Sequence, residues 1–380
     1  MPVGATPNWV PTQEYTVTSL APEGTGTLRT ILHSMPNSNP GAIIKFAVGG
    51  IIDWSYKPDG SNMQGATKIT DPGIIIAGET APSPVSITGG KLTIERGNVE
   101  VRHLRLLPGD RATGPAKNDR DCITIGSQGA APIENVVLRN LTLAWAVDGL
   151  LDFWHKPSYP VRGVTVEECI LAECLKAAGH PEGDHSTGLL LGVNSKDILF
   201  YRCLLASNSY RSPAIHYGVT GAFVNCVTLN NNKTYEFYSS TEPQSPSHWA
   251  FIGCETVIGN DKQNSAFSAK ESSAIAGSSI YYQDCGDVIP PALLAAKPWL
   301  ANIGSAYPQH ALVVPGINVE LPPGLAVEPC SGLRASLART VGPWQRTALE
   351  ARLVAEMLDP ALANIKANMA ACPEAAAFGF

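Results

Sequence analysis

Four aspartates stand in two close pairs. Asp119 and Asp121 are two residues apart, and Asp148 and Asp152 are four apart. On an extended segment either spacing puts both side chains on one side. Carboxylates held together repel each other, and a bound divalent cation relieves that repulsion. A cluster of hard oxygens is what Ca²⁺ takes. The competing reading is plain: four aspartates at strand ends, where turns commonly use the residue. Farther on, His180-Pro-Glu-Gly-Asp-His185 sets two histidines around Glu182 and Asp184. A metal reading is open there, but the spacing matches no zinc pattern. A substrate-facing loop and an exposed turn are the other readings, with His185 the better candidate. Trp154 lies just past Asp152, and Tyr210 and Tyr217 flank Arg211. Their rings suit the apolar face of a sugar, or equally the gaps under loops.

Something must bring these positions together, and the chain carries a repeat that does so. An apolar residue, two others, then leucine or cysteine recurs as Val101-Arg-His-Leu104, Leu138-Arg-Asn-Leu141, Val166-Glu-Glu-Cys169 and Phe200-Tyr-Arg-Cys203. It continues as Phe223-Val-Asn-Cys226, Phe251-Ile-Gly-Cys254 and Tyr282-Gln-Asp-Cys285, at intervals of 23 to 37 residues. A repeat of that period means a solenoid. The strands Val99–Leu106, Val136–Leu143, Val164–Leu171 and Ile198–Leu205 are short, β-branched and bounded by turns. No two-residue hairpin loop joins them, so coil-on-coil parallel stacking is the simpler arrangement. The two aspartate pairs are then about one coil apart and stack side by side. Longer intervals hold insertions at Gly109–Arg120, Trp154–Tyr159, Lys176–Asp184 and Thr241–Ser247. Insertions of a solenoid line its binding face.

Before the repeat, Thr27 is an N-cap for a short amphipathic helix that covers the apolar end of the first coils. Residues 1–286 read as this capped β-helix and residues 287–380 as a C-terminal tail. Ile289–Pro329 is proline-rich and wraps the outside. A helix follows at about 344–358, with Leu349, Leu353 and Met357 four apart and Asp359-Pro360 as its stop. That helix either packs on the solenoid or serves as a docking or oligomerisation element.

Composition narrows the function. Hydrophobic residues are 44% and charged residues 16%, enough for a core. A net charge of −6 argues against nucleic acid as partner. It also requires another source of positive charge if the ligand is acidic. No apolar run approaches the roughly 18 residues of a membrane span, and no signal peptide is visible at the N-terminus. Of the nine cysteines, Cys169, Cys203, Cys226, Cys254 and Cys285 share one phase of the repeat. They read as a buried column of free thiols, with disulfides between neighbouring coils as the alternative.

Several phrases resemble bacterial pectate lyases. They are Val17-Thr-Ser-Leu-Ala21 with the Gly-Thr-Gly-Thr-Leu-Arg29 that follows, Ile43 to Ile52, Ile76 to Pro82, and Asn98 to Arg105 with Pro108-Gly-Asp110. Ala144 to Asp148, His185 to Gly192 and, more weakly, Leu349 to Glu356 are similar too. The resemblance implies an all-β, right-handed parallel β-helix and β-elimination of an acidic, uronate-type polysaccharide. It implies Ca²⁺ on Asp119, Asp121, Asp148 and Asp152. Tyr210-Arg211-Ser212-Pro213 resembles the family's Arg-x-Pro motif, whose arginine is taken as the base. A guanidinium stays protonated at ordinary pH, so that role comes from the resemblance. Charge stabilisation by Arg211 follows from its chemistry. The substrate-binding set is then His185, Thr187, His216, Trp154 and Tyr210. The chain departs from the family at three places. His216 stands where a second arginine is usual, Thr187 and His185 where a lysine is, and Arg139-Asn140 where Asp-His is.

The expectation is an extracellular lyase, secreted as a monomer or carried on a virus particle as part of an assembly. The alternative is a non-catalytic carbohydrate-binding or structural β-helix, such as a phage tail component or depolymerase. Paired-carboxylate hydrolysis is third, with no acid assignable from sequence.

Overall fold

The computed structural model of the chain describes residues 9–35, 41–63, 65–126, 132–232, 234–237, 245–261, 268–269, 279–286, 313–314, 317–318 and 325–380. Most of the proline-rich stretch, and most of the Thr241–Ser247 insertion, lie outside the described residues.

Three parallel sheets form the faces of a right-handed β-helix. The first has ten strands, from Gln13–Val17 to Ser279–Gln283; the other two have eight each. One coil shows the rule. Ile133–Arg139 lies in the first sheet, Thr142–Ala144 in the second and Gly149–Phe153 in the third; Val161–Glu167 then returns to the first. Register is held from coil to coil: Leu138 lies on Val101 and Val166, and Phe200 on Phe223. Inward positions thus form columns, and the core grows along the axis. Phe200, Phe223 and Phe251 stack at centroid distances of 4.6 and 5.7 Å.

The recurring phrase is a corner. Its third residue has a left-handed backbone each time: His103, Asn140, Glu168, Arg202, Asn225, Gly253 and Asp284. Strands read as continuous from the sequence, such as Val136–Leu143, are therefore two strands in two sheets. The left-handed residue breaks the extended run and turns the chain. The fourth residue begins the column on the next face. Cys169, Cys203, Cys226 and Cys254 are buried there as free thiols, with Cys285 partly buried. Each sulfhydryl donates to a carbonyl on the preceding coil, as Cys203 does to Val166 at 3.3 Å. The thiol column replaces disulfides as the link between coils.

Helix α1 (Leu28–Ser34) caps the first coils. The Thr27 hydroxyl accepts from the Thr30 N–H, and Leu28 and Leu32 join the core. The C-terminal part carries two helices, α2 (Leu333–Thr340) and α3 (Ala348–Leu358). The sequence pattern predicts no helix at α2 and a start for α3 at about residue 344, four residues before the observed one. Thr347 and Glu350 form a capping box that sets the true start. Leu337, Leu349, Leu353 and Met357 pack on Ile170, Leu204 and Leu229, on the outer face of the second sheet. The tail therefore covers a flank of the solenoid. Arg105 is bound to Glu350 at 2.8 Å and Arg352 to Glu173 at 2.7 Å across this contact, both acids fully buried.

Candidate active site

The third sheet positions the site. Its successive strands Leu92–Ile94, Ile123–Ile125, Gly149–Phe153, Thr187–Leu191 and Ser212–Ile215 stack in parallel. Within Gly149–Phe153, Leu151 and Phe153 belong to the core, so alternation turns Asp152 outward. Asp152 sits between Thr124 on one coil and Leu190 on the next. The turns entering these strands carry Lys91, Asp121, Asp148, His185 and Arg211, each from a different coil. Together they line a cleft of about 450 Å³, with Asp119, Trp154 and His180 at its sides.

Two insertions close the cleft. The one leading to Asp119 is tied by Arg120, almost fully buried, whose guanidinium donates to the carbonyls of Gly109, Arg111, Thr113 and Pro115. Asp119 ends a short 3₁₀ turn, Lys117–Asp119, and Asp121 precedes its strand. Their meeting therefore does not come from strand alternation, as the spacing suggested. It comes from Lys91, whose ammonium contacts Asp119 and lies 2.9 Å from Asp121. The other insertion folds His180 over His185. Their rings stack at 3.7 Å, and His185 Nε2 lies 3.0 Å from Asp148 Oδ1.

Electrostatics distinguish the carboxylates. Burial pushes the Asp152 carboxyl well above the usual range; Asp121 and Asp148 add to this and Arg211 opposes it. Its Oδ1 is buried without a hydrogen-bond partner among the described residues. Burial also raises Asp121, but the Lys91 ammonium pulls it back. The Gly149 N–H and the Thr124 hydroxyl donate to it as well. Burial works against the Lys91 charge, yet Asp121 and Asp119 outweigh it and hold the ammonium above its ordinary value. Burial lowers His180, and neighbouring His185 adds to the effect. A Cβ on Gly149 would stand 2.6 Å from Asp152 Oδ1, so a side chain there would displace that carboxyl.

Asp119, Asp121, Asp148, Asp152, Arg211, His185 and Trp154 thus line one cleft. Thr187 adjoins it, but its hydroxyl is turned onto the Asp148 carbonyl. Tyr210 bridges to Thr187 without lining the cleft. His216 follows strand Ser212–Ile215 at the end away from Arg211, and it lies outside the cleft lining. Lys91 was not among the residues singled out from the sequence. Its only signal is a basic residue after Gly89-Gly90, about one coil before Asp121.

Do these residues fit Ca²⁺? The ion takes about six to eight oxygens. Both oxygens of Asp121 are already engaged, Asp119 is on Lys91, and Asp148 Oδ1 is on His185. An ammonium occupies the place between the first pair. As folded, the four-aspartate calcium set does not fit. Asp148, His180 and His185 offer donor atoms within 4.8 Å of one another, so this cluster could chelate a metal. The rings stand face to face, however, and one ion cannot lie in both ring planes until one turns.

Fold and cleft together define a right-handed parallel β-helix with an acidic cleft on its third sheet. No family model and no curated protein matches the sequence. Among solved structures, the chain is similar to the major allergen from cedar pollen. The TM-score is 0.57 at 15% identity, over 87% of this chain and 88% of that one. A Bacillus subtilis pectate lyase variant gives 0.53 at 11% identity, over 88% and 92%. A Xanthomonas campestris pectate lyase variant gives 0.52 at 13%, over 91% and 99%. At such identities these likenesses show the shared fold.

Proposed function

We propose that the cleft binds an acidic, uronate-type polysaccharide and cleaves it by β-elimination. The observation that carries this reading is the placement of Arg211 in the same cleft as the buried Asp152, with Trp154 beside them. Elimination needs a proton removed beside the uronate carboxylate and the resulting negative charge held. Arg211 meets that charge, since a preorganised guanidinium in a partly buried site stabilises it strongly. Trp154, 63% exposed, offers its ring face to a neighbouring sugar. His185, set by Asp148, faces the substrate. Taking the proton is assigned to Arg211 by the resemblance alone. No step is routed through calcium. The cedar allergen and the pectate lyases share the scaffold, and the latter are named for pectate. The ligand class is carried to this chain as part of the proposal, and with it an extracellular setting.

Asp152 favours a second reading. A carboxyl whose proton affinity is raised by burial is what a glycosidase acid requires, and hydrolysis then needs a second carboxylate as partner. One assay separates the readings. Polygalacturonate, alginate and bacterial capsular polysaccharides are incubated with the protein, in chelator and in Ca²⁺. Ultraviolet absorbance of an unsaturated uronate product supports elimination. New reducing ends without that absorbance point to hydrolysis. Binding without either marks a non-catalytic carbohydrate-binding β-helix and sinks both.

A further inference from the structure

We infer that Lys91 is the resident cation of this cleft and that, because its ammonium already bridges Asp119 and Asp121, the cleft does not take up calcium there. Three observations carry this. First, Nζ meets both carboxylates at once, contacting Asp119 and lying 2.9 Å from Asp121. A divalent ion joining the same pair would have to stand in the same place. Second, both oxygens of Asp121 already accept from within the protein, so three of its roughly four lone-pair sites are taken. The Gly149 N–H reaches Oδ1 at 3.1 Å and the Thr124 hydroxyl reaches Oδ2 at 3.2 Å. Third, Lys91 cannot swing out cheaply. Its side chain is only 14% exposed and that of Asp121 only 6%. Departure would leave a buried carboxylate uncompensated.

The backbone fixes the launch point. Lys91 directly precedes strand Leu92–Ile94, one coil before Ile123–Ile125. Gly89 has a φ of +76°, and a Cβ on Gly90 would stand 2.9 Å from the Trp54 Cβ. The two glycines let the chain turn tightly enough to aim the lysine across the coil boundary. In a chain of net charge −6, this spends a scarce cation inside the cleft. One ammonium on two carboxylates leaves one negative charge, so an incoming acidic sugar depends on Arg211 rather than on a bridging metal.

The inference deepens the proposed reaction by removing its metal, and as a statement about metal uptake its test is independent of turnover. The probe is Tb³⁺, a luminescent stand-in for Ca²⁺, sensitised by Trp154 in the cleft. Ca²⁺ calorimetry runs beside it on the wild type, Asp121→Asn, Lys91→Arg, Lys91→Met and Lys91→Met with Asp121→Asn. The wild type and Lys91→Arg are expected to give no saturable, Ca²⁺-competed signal. Lys91→Met is expected to gain one at least about tenfold tighter than any wild-type binding, since a contact repulsion is removed. The added Asp121→Asn abolishes it. A saturable wild-type signal lost in Asp121→Asn overturns the inference, as does a folded Lys91→Met that gains nothing. If Lys91→Met fails to fold, the wild-type titration decides alone: no saturable Ca²⁺ binding upholds the inference. A protein inactive on every polysaccharide would remove the proposed reaction and leave this result standing.

Discussion

Lys91 Nζ lies 2.9 Å from Asp121 Oδ2, although the two residues are 30 apart in sequence. Stacking of one coil on the next closes that distance, and the pair is nearly excluded from solvent. Removing one member of such a pair strands the other. Lys91→Met is therefore expected to lose about 3–5 kcal/mol of stability at neutral pH, measured by urea denaturation. The loss should shrink in acid, where protonation of Asp121 removes the stranded charge. A loss that is the same at pH 4 and pH 8 (roughly the span on either side of carboxylate titration) contradicts the assigned pairing.

Asp152 behaves in the opposite sense. Its carboxyl is raised in the folded state by burial and by Asp121. A raised group favours the fold fully below its unfolded value of about 3.9 and loses that contribution as pH rises through the folded value. Asp152→Asn removes the ionisable group, so the variant should be the more stable protein at alkaline pH, by about 1–3 kcal/mol. The difference should fade towards acid. Paired thermal melts across pH test this, and a variant less stable than wild type at alkaline pH refutes it.

The sequence displayed the scaffold better than the site. The columns were legible because inward residues recur at one phase, and stacking demands that. The corners were not, because the left-handed position is filled by His103, Glu168 and Arg202 as often as by Asn or Gly. Only the latter types advertise that conformation. Asp148, Asp152 and Arg211 were found through spacing and resemblance. Lys91 was missed because its partners lie on the next coil, and pairing across coils leaves no local pattern. His180 and His185 were seen, but a spacing of five fits neither strand nor helix. They meet because the loop folds back, with the Glu182 N–H donating to His180 Nδ1 at 3.2 Å.

Gly149 should be intolerant of any side chain. Gly149→Ala places a Cβ 2.6 Å from Asp152 Oδ1, and the carboxylate must move. The protein should still fold, since the three atoms nearest the added methyl all belong to the Asp152 side chain, which can shift. Turnover on the responsive polysaccharide should fall about 100-fold, the usual cost of misplacing a reacting group by an ångström. Circular dichroism and kinetics check the two halves. Unchanged turnover would mean that the Asp152 position does not matter to the chemistry.

The flanking tail depends on a buried ion cluster. Arg352 binds Glu173, Glu356 and Glu374 at once, and Glu173 has no exposure. Arg352→Met leaves that acid only Lys366, at 3.5 Å, as a cationic partner and should cost up to about 3–5 kcal/mol. Adding Glu173→Gln should recover a large part, because the stranded charge is gone. Limited proteolysis gives a second readout, with cleavage before α3 appearing first in the single variant. Equal losses in the single and double variants would assign the docking to apolar packing alone.

Arg211 separates the functional readings most directly. The guanidinium lines the cleft beside Asp152 and lowers its proton affinity. If it holds the charge that develops on a uronate, Arg211→Ala should cut turnover about 100- to 1000-fold. Arg211→Lys should restore part of it, because charge returns without the two-pronged geometry. Arg211→Ala should also raise the Asp152 carboxyl further, since the opposing charge is lost. A hydrolytic optimum would then move to higher pH, while an elimination would simply fail. A variant with full turnover and an unchanged pH profile would place the chemistry elsewhere and favour a binding protein on an inherited scaffold.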